Sequence, residues 1–532
     1  GRKSMIKELY EQICAGDEVR ANLIRLRDEL KNEENRRKFA YLLGGDFSNL
    51  TALLKDEDPK VRKNAALILG KLESEDLLPV LFDAYKKEKT LFIRADYLKA
   101  LSELDYRPLS ESLEEQLSVL RENSEWTPEE WKHVSEEIRI LQTMVLRCRG
   151  IRHHRFAGGK EKEDVILLTN RCQRAATAEQ VQKGKITMLA GGLRVDGASL
   201  KEVRPIRTYS ELLFPLKTSV ELPTDQPVLC GETLAGPVLA LADRLYNGAG
   251  AFLYRIDVRG QAAARTSAQD NSPSAGNGAV SDGANADWFC VGEYREKKGS
   301  YIRKLSTALE RASGARLVNS VTDYEIELRL VLKKDGTFTA MLKPSSSFDE
   351  RFIYRKEVVA SSIAPVNAAL TARLALPWLK EGAQVLDPFC GVGTMLIERD
   401  RAVKAGTMYG LDIFGEAIEK ARRNTRRADC IVNYINRDFF TFRHEYLFDE
   451  VVTNMPVSAG DGSKQALRQL YHDFFAYVGG LLKDEAVLVI YTSAPNYVVE
   501  SVRKTAGFRM EKSFLLNEKN QTTVFVVAWK RP

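Results

Sequence analysis

Three short apolar segments in the C-terminal third of the chain each lead to an aspartate at the end of a strand. Val385-Leu386 runs into Asp387, Tyr409-Gly410-Leu411 into Asp412, and the segment 430–436 into Asp438. Helical stretches separate them, and strand-like runs at 450–453 and 486–492 follow. Strands spaced by helices need crossover connections, so they build a parallel sheet. The chain then closes with a run at 510–516, a polar turn at 517–520 and a run at 522–529, the pattern of an antiparallel hairpin. The fold expected for 346–532 is therefore α/β and Rossmann-like, a parallel sheet ending in a C-terminal antiparallel hairpin.

The loop after the first strand reads Asp387-Pro388-Phe389-Cys390-Gly391-Val392-Gly393-Thr394. Ligands of open α/β sheets sit outside the carboxyl ends of strands, where this loop falls. A dinucleotide fingerprint would place a third glycine where Leu396 stands, and Asp387 would repel a pyrophosphate. An acid there suits a cationic ligand group, an ammonium or a sulfonium. Asp412 ends the next strand, where a ribose diol is bound in such sheets. Asp438 is placed to accept from an adenine amine, with Phe439 covering the ring. Cys390 has no histidine nearby in sequence to activate it and reads as a small packing residue.

Loop, acids and hairpin together resemble the class I S-adenosylmethionine-dependent methyltransferases over about 348–532. The resemblance implies S-adenosylmethionine as cofactor, held by Asp387, Pro388, Phe389, Gly391, Gly393, Thr394, Asp412, Ile413, Asp438, Phe439, Asn454 and Pro365. At the fourth strand end stands Asn454-Met455-Pro456-Val457, where amino-methyltransferases carry an N/D-P-P-Y/F tetrad; without that resemblance it reads as an ordinary Asn-x-Pro turn. An exocyclic amine is a poor nucleophile because its lone pair is delocalised into the ring. The Asn454 side-chain oxygen and the Met455 carbonyl would accept its protons and turn the lone pair toward the methyl group, with Pro456 stiffening the turn. Met455 is similar to the guanine-modifying members. Val457 replaces the usual aromatic and loses a stacking contact worth about 1–3 kcal/mol, unless Phe439, Tyr354 or Phe389 supplies a ring.

Upstream, Val318 to Leu328, a pair of strands, then Phe348 to Arg355 and Ser361 to Ala369 are similar in order to the end of a THUMP domain and its linker. The resemblance implies a THUMP-containing RNA (guanine-N2) methyltransferase, and an α+β RNA-binding region over 146–345. Basic residues agree: Arg152 and Arg155; Arg295, Lys297, Lys298 and Arg303 among Tyr294 and Tyr301; and Arg355. A further basic group lies on the helix after Asp412. From Gly260 to Ala286, 19 of 27 residues are Ala, Gly, Ser or Asn, so 259–287 reads as a disordered surface insertion that cannot bury enough to order itself.

The first 145 residues read as helices. Arg36, Arg62 and Arg94 head similar stretches in which small or apolar residues recur at helical spacing, as in Ala65, Ala66 and Leu69. Helix pairs that bury a face only on their neighbours give this signature, and Asp58-Pro59-Lys60-Val61-Arg62 resembles a HEAT repeat. The region is a candidate docking surface for a protein partner. The whole is expected to be multidomain: HEAT-like repeats 1–145, THUMP-like region 146–345, methyltransferase domain 346–532.

Seven scattered cysteines without a C-x-x-C pair point to a reducing, cytoplasmic setting. Five dispersed histidines give no metal constellation, and no uncharged apolar run reaches membrane length. Net charge is +6, which permits a polyanionic partner without demanding one. The leading expectation is methyl transfer to an exocyclic amine, guanine N2, of tRNA or rRNA. The alternatives are a protein glutamine-amide methyltransferase and a non-catalytic scaffold on a degenerate methyltransferase fold.

Overall fold

The computed structural model describes residues 5–149, 154–158, 162–248, 250–260, 294–321, 323–345 and 348–532, and the backbone of 288–291. The chain divides into two compact units, Gly1–His153 and His154–Pro532. The described part of the first is helical throughout. Helices Val19–Glu29, Pro59–Gly70, Leu91–Ser102 and Pro128–Arg149 pack side by side, backed by a second row of helices. The last of them runs through the boundary expected at 145.

Arginines tie the repeats together. Arg62 donates to the Asp56 carbonyl at 2.7 Å and forms a two-point pair with Glu88 at 2.8 and 3.0 Å. Arg94 repeats the device, donating to the Glu88 carbonyl at 2.6 Å and to the fully buried Glu137 at 2.9 Å. Arg36 does not belong to this series. Its helix, Glu33–Leu43, packs on Met5–Ala15, and the neighbour of Pro59–Gly70 is Val19–Glu29.

In the second unit, nine strands of the middle region form one sheet among the described residues. Their order is Leu317–Asn319, Phe252–Arg259, Ile326–Leu332, Thr337–Pro344, Glu211–Pro215, Lys162–Leu168, Gly192–Ser199, Lys185–Leu189, with Leu222–Pro223 added to Thr337–Pro344. Helices Pro227–Leu245 and Lys298–Ala312 pack together over it, close enough that a Cβ on Gly231 would lie 2.4 Å from the Leu305 carbonyl. Arg259, expected to open the insertion, is instead paired with Val331 in the sheet. The insertion from 261 to 287 lies outside the described residues.

The catalytic sheet has seven strands: β1 (Gln384–Asp387), β2 (Thr407–Asp412), β3 (Asn433–Asn436), β4 (Phe448–Asn454), β5 (Leu482–Thr492), β6 (Phe508–Asn517) and β7 (Thr522–Trp529). Their order is β3-β2-β1-β4-β5-β7-β6, with the first five parallel and the last two antiparallel. Strand order reverses between β1 and β4, and a ligand crevice opens at such a switch point.

Helix Thr394–Ala402 leaves the β1 loop and is fixed to β4 by a buried ion pair. Arg399 and Glu450, at 0% and 1% side-chain exposure, meet at 2.8 and 3.0 Å, and Arg399 also donates to the Lys380 carbonyl. Burial raises the Glu450 carboxyl even with the guanidinium beside it. Removing one partner of a buried pair strands the other charge. Arg399→Met is therefore expected to destabilise the catalytic region by roughly 3–5 kcal/mol, and Arg399→Met/Glu450→Leu to recover most of that loss, as followed by thermal melts.

Candidate active site

Asp387 ends β1 in full burial. Its Oδ1 accepts the Thr453 hydroxyl at 2.6 Å and the Phe389 N–H at 3.1 Å. Burial, with a smaller push from Asp412, raises its carboxyl to about 7 against those two bonds. The Thr453 bond joins the ends of β1 and β4 one residue before Asn454.

The loop is held open by its neighbours. Gly391 adopts φ +52°, its N–H donates to Asp412 Oδ2 at 3.0 Å, and a Cβ built there would meet nothing within 4 Å. The backbone there faces open space beside the side chains of Asp387 and Asp412. Gly393, at φ +85°, is required for a different reason: its Cβ would lie 2.1 Å from the Tyr434 hydroxyl. Tyr434 of β3 is buried under the loop, its hydroxyl 2.7 Å from that of Thr425. Pro388 and Thr394 are buried, and burial pushes the Cys390 thiol well up, which suits packing.

Asp412 Oδ1 accepts the Phe414 N–H at 2.9 Å, leaving Ile413 and Phe414 exposed at the rim. Asp438 is exposed and accepts the Phe440 N–H at 3.0 Å. Phe439 is 2% exposed, with ring centroids at 5.1–5.7 Å from Phe389, Phe474 and Tyr477. It is a core side chain, packed among these rings, and its expected place over an adenine is not presented as an open face.

At the end of β4, Asn454 is half-buried, and its side-chain amide makes no hydrogen bond among the described residues. Met455 is buried; its N–H donates to the Tyr491 carbonyl at 2.9 Å, extending the pairing of β4 with β5 one residue past Asn454. Pro456 follows half-buried, and Val457 is 61% exposed. None of the three candidate replacement rings stands free: Phe439 and Tyr354 are buried, and Phe389 packs on Phe439 and Phe474. Pro365 begins helix Pro365–Leu374, whose Asn367 donates to the Tyr491 hydroxyl at 3.4 Å.

Arg355, expected on an RNA surface, is half-buried and donates to the Thr394 hydroxyl at 3.3 Å and the Ile363 carbonyl at 2.9 Å. It braces the cofactor loop. Arg152 lies outside the described residues; Arg155, Arg295 and Lys297 are exposed, Lys298 and Arg303 half-buried. Tyr301 is fully buried against Phe338 and Tyr294, so the expected stacking surface is not formed by that ring.

Sequence reading missed Thr453, Tyr434 and Glu398. Glu398 is buried on helix Thr394–Ala402, takes a two-point pair from Arg207 of the middle region at 2.6 and 2.8 Å, and accepts the Tyr354 hydroxyl at 2.7 Å. No signal in one sequence marks such a partner. Among the described residues no cluster of three His, Cys, Asp or Glu is placed to hold a metal, and no helix is long and apolar enough to cross a membrane.

Residues 355–523 match the family described as RMKL-like, methyltransferase domain, and residues 7–102 and 47–129 match HEAT repeats. The chain is 25% identical over 247 residues to the tRNA (guanine(10)-N2)-dimethyltransferase of Methanothermobacter thermautotrophicus, covering 41% of this chain and 71% of that protein. It is 36% identical over 92 residues to the ribosomal protein L11 methyltransferase of Janthinobacterium sp., covering 16% of this chain and 29% of that one. The crystal structure of TrmN from Thermus thermophilus shares the fold, with a TM-score of 0.50 and 19% identity over 69% of this chain and 99% of that chain. An N-terminal helical repeat region thus precedes a Rossmann-like methyltransferase domain.

A cation set against Asp387 favours its ionised form. Affinity for S-adenosylmethionine is therefore expected to rise with pH by up to about ten-fold per unit and level off above about 7. Calorimetry from pH 5.5 to 8.5 reads this directly, and Asp387→Asn should flatten the profile.

Proposed function

We propose that the chain transfers a methyl group from S-adenosylmethionine to the exocyclic amine of a guanine, N2, in a structured tRNA or rRNA. The observation that carries the reading is the unpartnered Asn454 side chain at the β4 end, one residue from the Thr453–Asp387 bond that joins it to the glycine loop. The most extensive sequence relative above, named for tRNA guanine-N2 methylation, supports the choice of amine.

The residues present fit the cofactor. Asp387 offers a buried carboxylate to a cation, the open backbone at Gly391 a close approach, and Asp412 an acid at the next strand end. When bound, S-adenosylmethionine supplies an electrophilic methyl on a sulfonium. The rest falls to the chain. Asn454 Oδ1 and the Met455 carbonyl accept the two amine hydrogens and aim the nitrogen lone pair; Pro456 restricts the turn that holds both acceptors. These acceptors also stabilise the positive charge that grows on the nitrogen, so orientation and electrostatics carry most of the acceleration. Val457, aliphatic and exposed, borders this site without stacking.

The middle region is read as THUMP-like. Its support, counting only strands of the nine-stranded sheet, is the succession helix, strand, helix and then three strands from Pro227–Leu245 to Thr337–Pro344, directly ahead of the linker into the catalytic sheet.

Asn454→Ala should leave cofactor affinity unchanged and lower turnover about 10²–10³-fold, the range for loss of one preorganised hydrogen-bonding group. Tritium transfer from labelled S-adenosylmethionine into total RNA and, separately, total protein reads the acceptor. Label recovered as methylguanosine, lost in Asn454→Ala, is the expected result. Label in protein instead would replace this reading with amide methylation.

A further inference from the structure

The side-by-side helices of the first unit present a groove of about 260 Å³ that the catalytic reading leaves unused. Its lining includes Arg20, Arg27, Lys60 and Lys63 around Ile24 and Phe92, and no carboxylate lines it. Arg20, Lys60 and Phe92 each occupy the second position of their helices, Val19–Glu29, Pro59–Gly70 and Leu91–Ser102. Three helix N-termini therefore meet at this edge; that of Pro59–Gly70 is capped by the Asp58 carboxylate, which accepts the Lys60 N–H at 2.8 Å, while the other two have no side-chain cap and add partial positive charge to the four side-chain cations.

The cations are only lightly neutralised. Lys60 is exposed and forms no ion pair among the described residues. Arg20 reaches Asp58 only at 3.8 Å, and Arg27 donates to a neutral amide, Asn64 Oδ1, at 2.9 Å. Lys63 is paired with Asp96 at 3.2 Å. Phe92 is 45% exposed, with its ring centroid 6.3 Å from that of His133.

We infer that this groove binds the phosphate backbone of RNA, with Phe92 stacking on an unpaired base. The four cations stand on two neighbouring helices, Arg20 and Arg27 on Val19–Glu29 and Lys60 and Lys63 on Pro59–Gly70, with Phe92 on the third; a rise of about 1.5 Å per residue and an interaxial distance of about 8–10 Å spread them over roughly 10 Å, wider than a single anion needs. An acidic peptide would satisfy the cations and leave the exposed ring without a planar partner. Cations interleaved with an exposed aromatic are what base stacking and backbone contact use together. The inference rests on RNA being the substrate and extends it: the helical repeats would hold a second stretch of the same molecule.

The test uses the full chain, bulk tRNA as probe, and polyglutamate as a control polyanion. Arg20→Gln/Lys60→Gln is expected to weaken tRNA binding about ten-fold at 0.1 M salt. It should also reduce the slope of log affinity against log salt by about two, one for each phosphate contact removed. Phe92→Ala should weaken binding several-fold with the salt slope unchanged, as loss of stacking requires. Cofactor affinity should be untouched in both.

Wild-type affinity and salt slope in both variants would overturn the inference. So would groove-dependent binding of polyglutamate with groove-independent binding of tRNA, which assigns the surface to an acidic protein. If wild type methylates RNA and the groove variants match it in KM and affinity, this inference fails and the catalytic reading stands. If wild type neither binds nor methylates RNA, both fall.

Discussion

Two adjacent residues in one short helix hold the catalytic region together from opposite sides. On helix Thr394–Ala402, Arg399 reaches into the sheet to Glu450, and Glu398 reaches out to Arg207 and Tyr354. Three of the four ionised groups are fully buried and Arg207 is partly so, and a charge taken out of water must keep its partner. The helix therefore cannot slide or rotate without stranding a charge on one side or the other. It is also the helix that the glycine loop feeds, so the positions of Gly391 and Gly393 inherit this fixity. Arg355 adds a third tether at the helix's first residue through the Thr394 hydroxyl. The open backbone at Gly391 is thus preorganised by ion pairs that never touch a ligand.

The middle region is attached through the same linker. Arg351, nearly buried, donates to the carbonyls of Ile206 and Tyr209 and lies 3.7 Å from the centroid of the Tyr209 ring. Arg204 packs against the rings of both Phe156 and Phe348, 4.6 and 4.5 Å from their centroids, where the two rings meet edge to face. At the far edge, Gln173 donates to the Leu515 carbonyl on β6, and Ala176 shares a core with the catalytic sheet. Cations with delocalised charge are well suited to such joints, since they bond in plane and stack on both faces.

What could be read in the sequence was whatever follows from periodicity and chain order. The apolar runs ending at Asp387, Asp412 and Asp438 fix the strands because a buried parallel strand must be continuously apolar and its end must be polar. The closing hairpin was legible for a similar reason: β6 and β7 flank a polar turn. Side-chain direction was not legible. Phe439 follows an acid at a strand end, yet it turns inward because Phe389, Phe474 and Tyr477 offer it a core. Tyr301 sits among lysines and arginines but on the buried face of an amphipathic helix. Arg355 and Glu398 belong to bonds spanning 39 and 191 positions, and no local pattern encodes a partner at such separation. The repeat phase of the first unit is misread at Arg36 because Arg36, Arg62 and Arg94 each stand fourth in a helix, although the helix of Arg36 belongs to a different position in the stack.

The Arg207–Glu398 joint has a consequence for selectivity. A hinge lets a catalytic centre search along whatever its neighbour holds, and a locked joint converts the same pair into a ruler. With the middle region pinned to the helix beside the glycine loop, whatever that region held would meet the end of β4 only at one set distance from the grip. Were it the RNA proposed above, the nucleotide would be chosen by length and shape, with little need for the β4 end to read the neighbouring sequence.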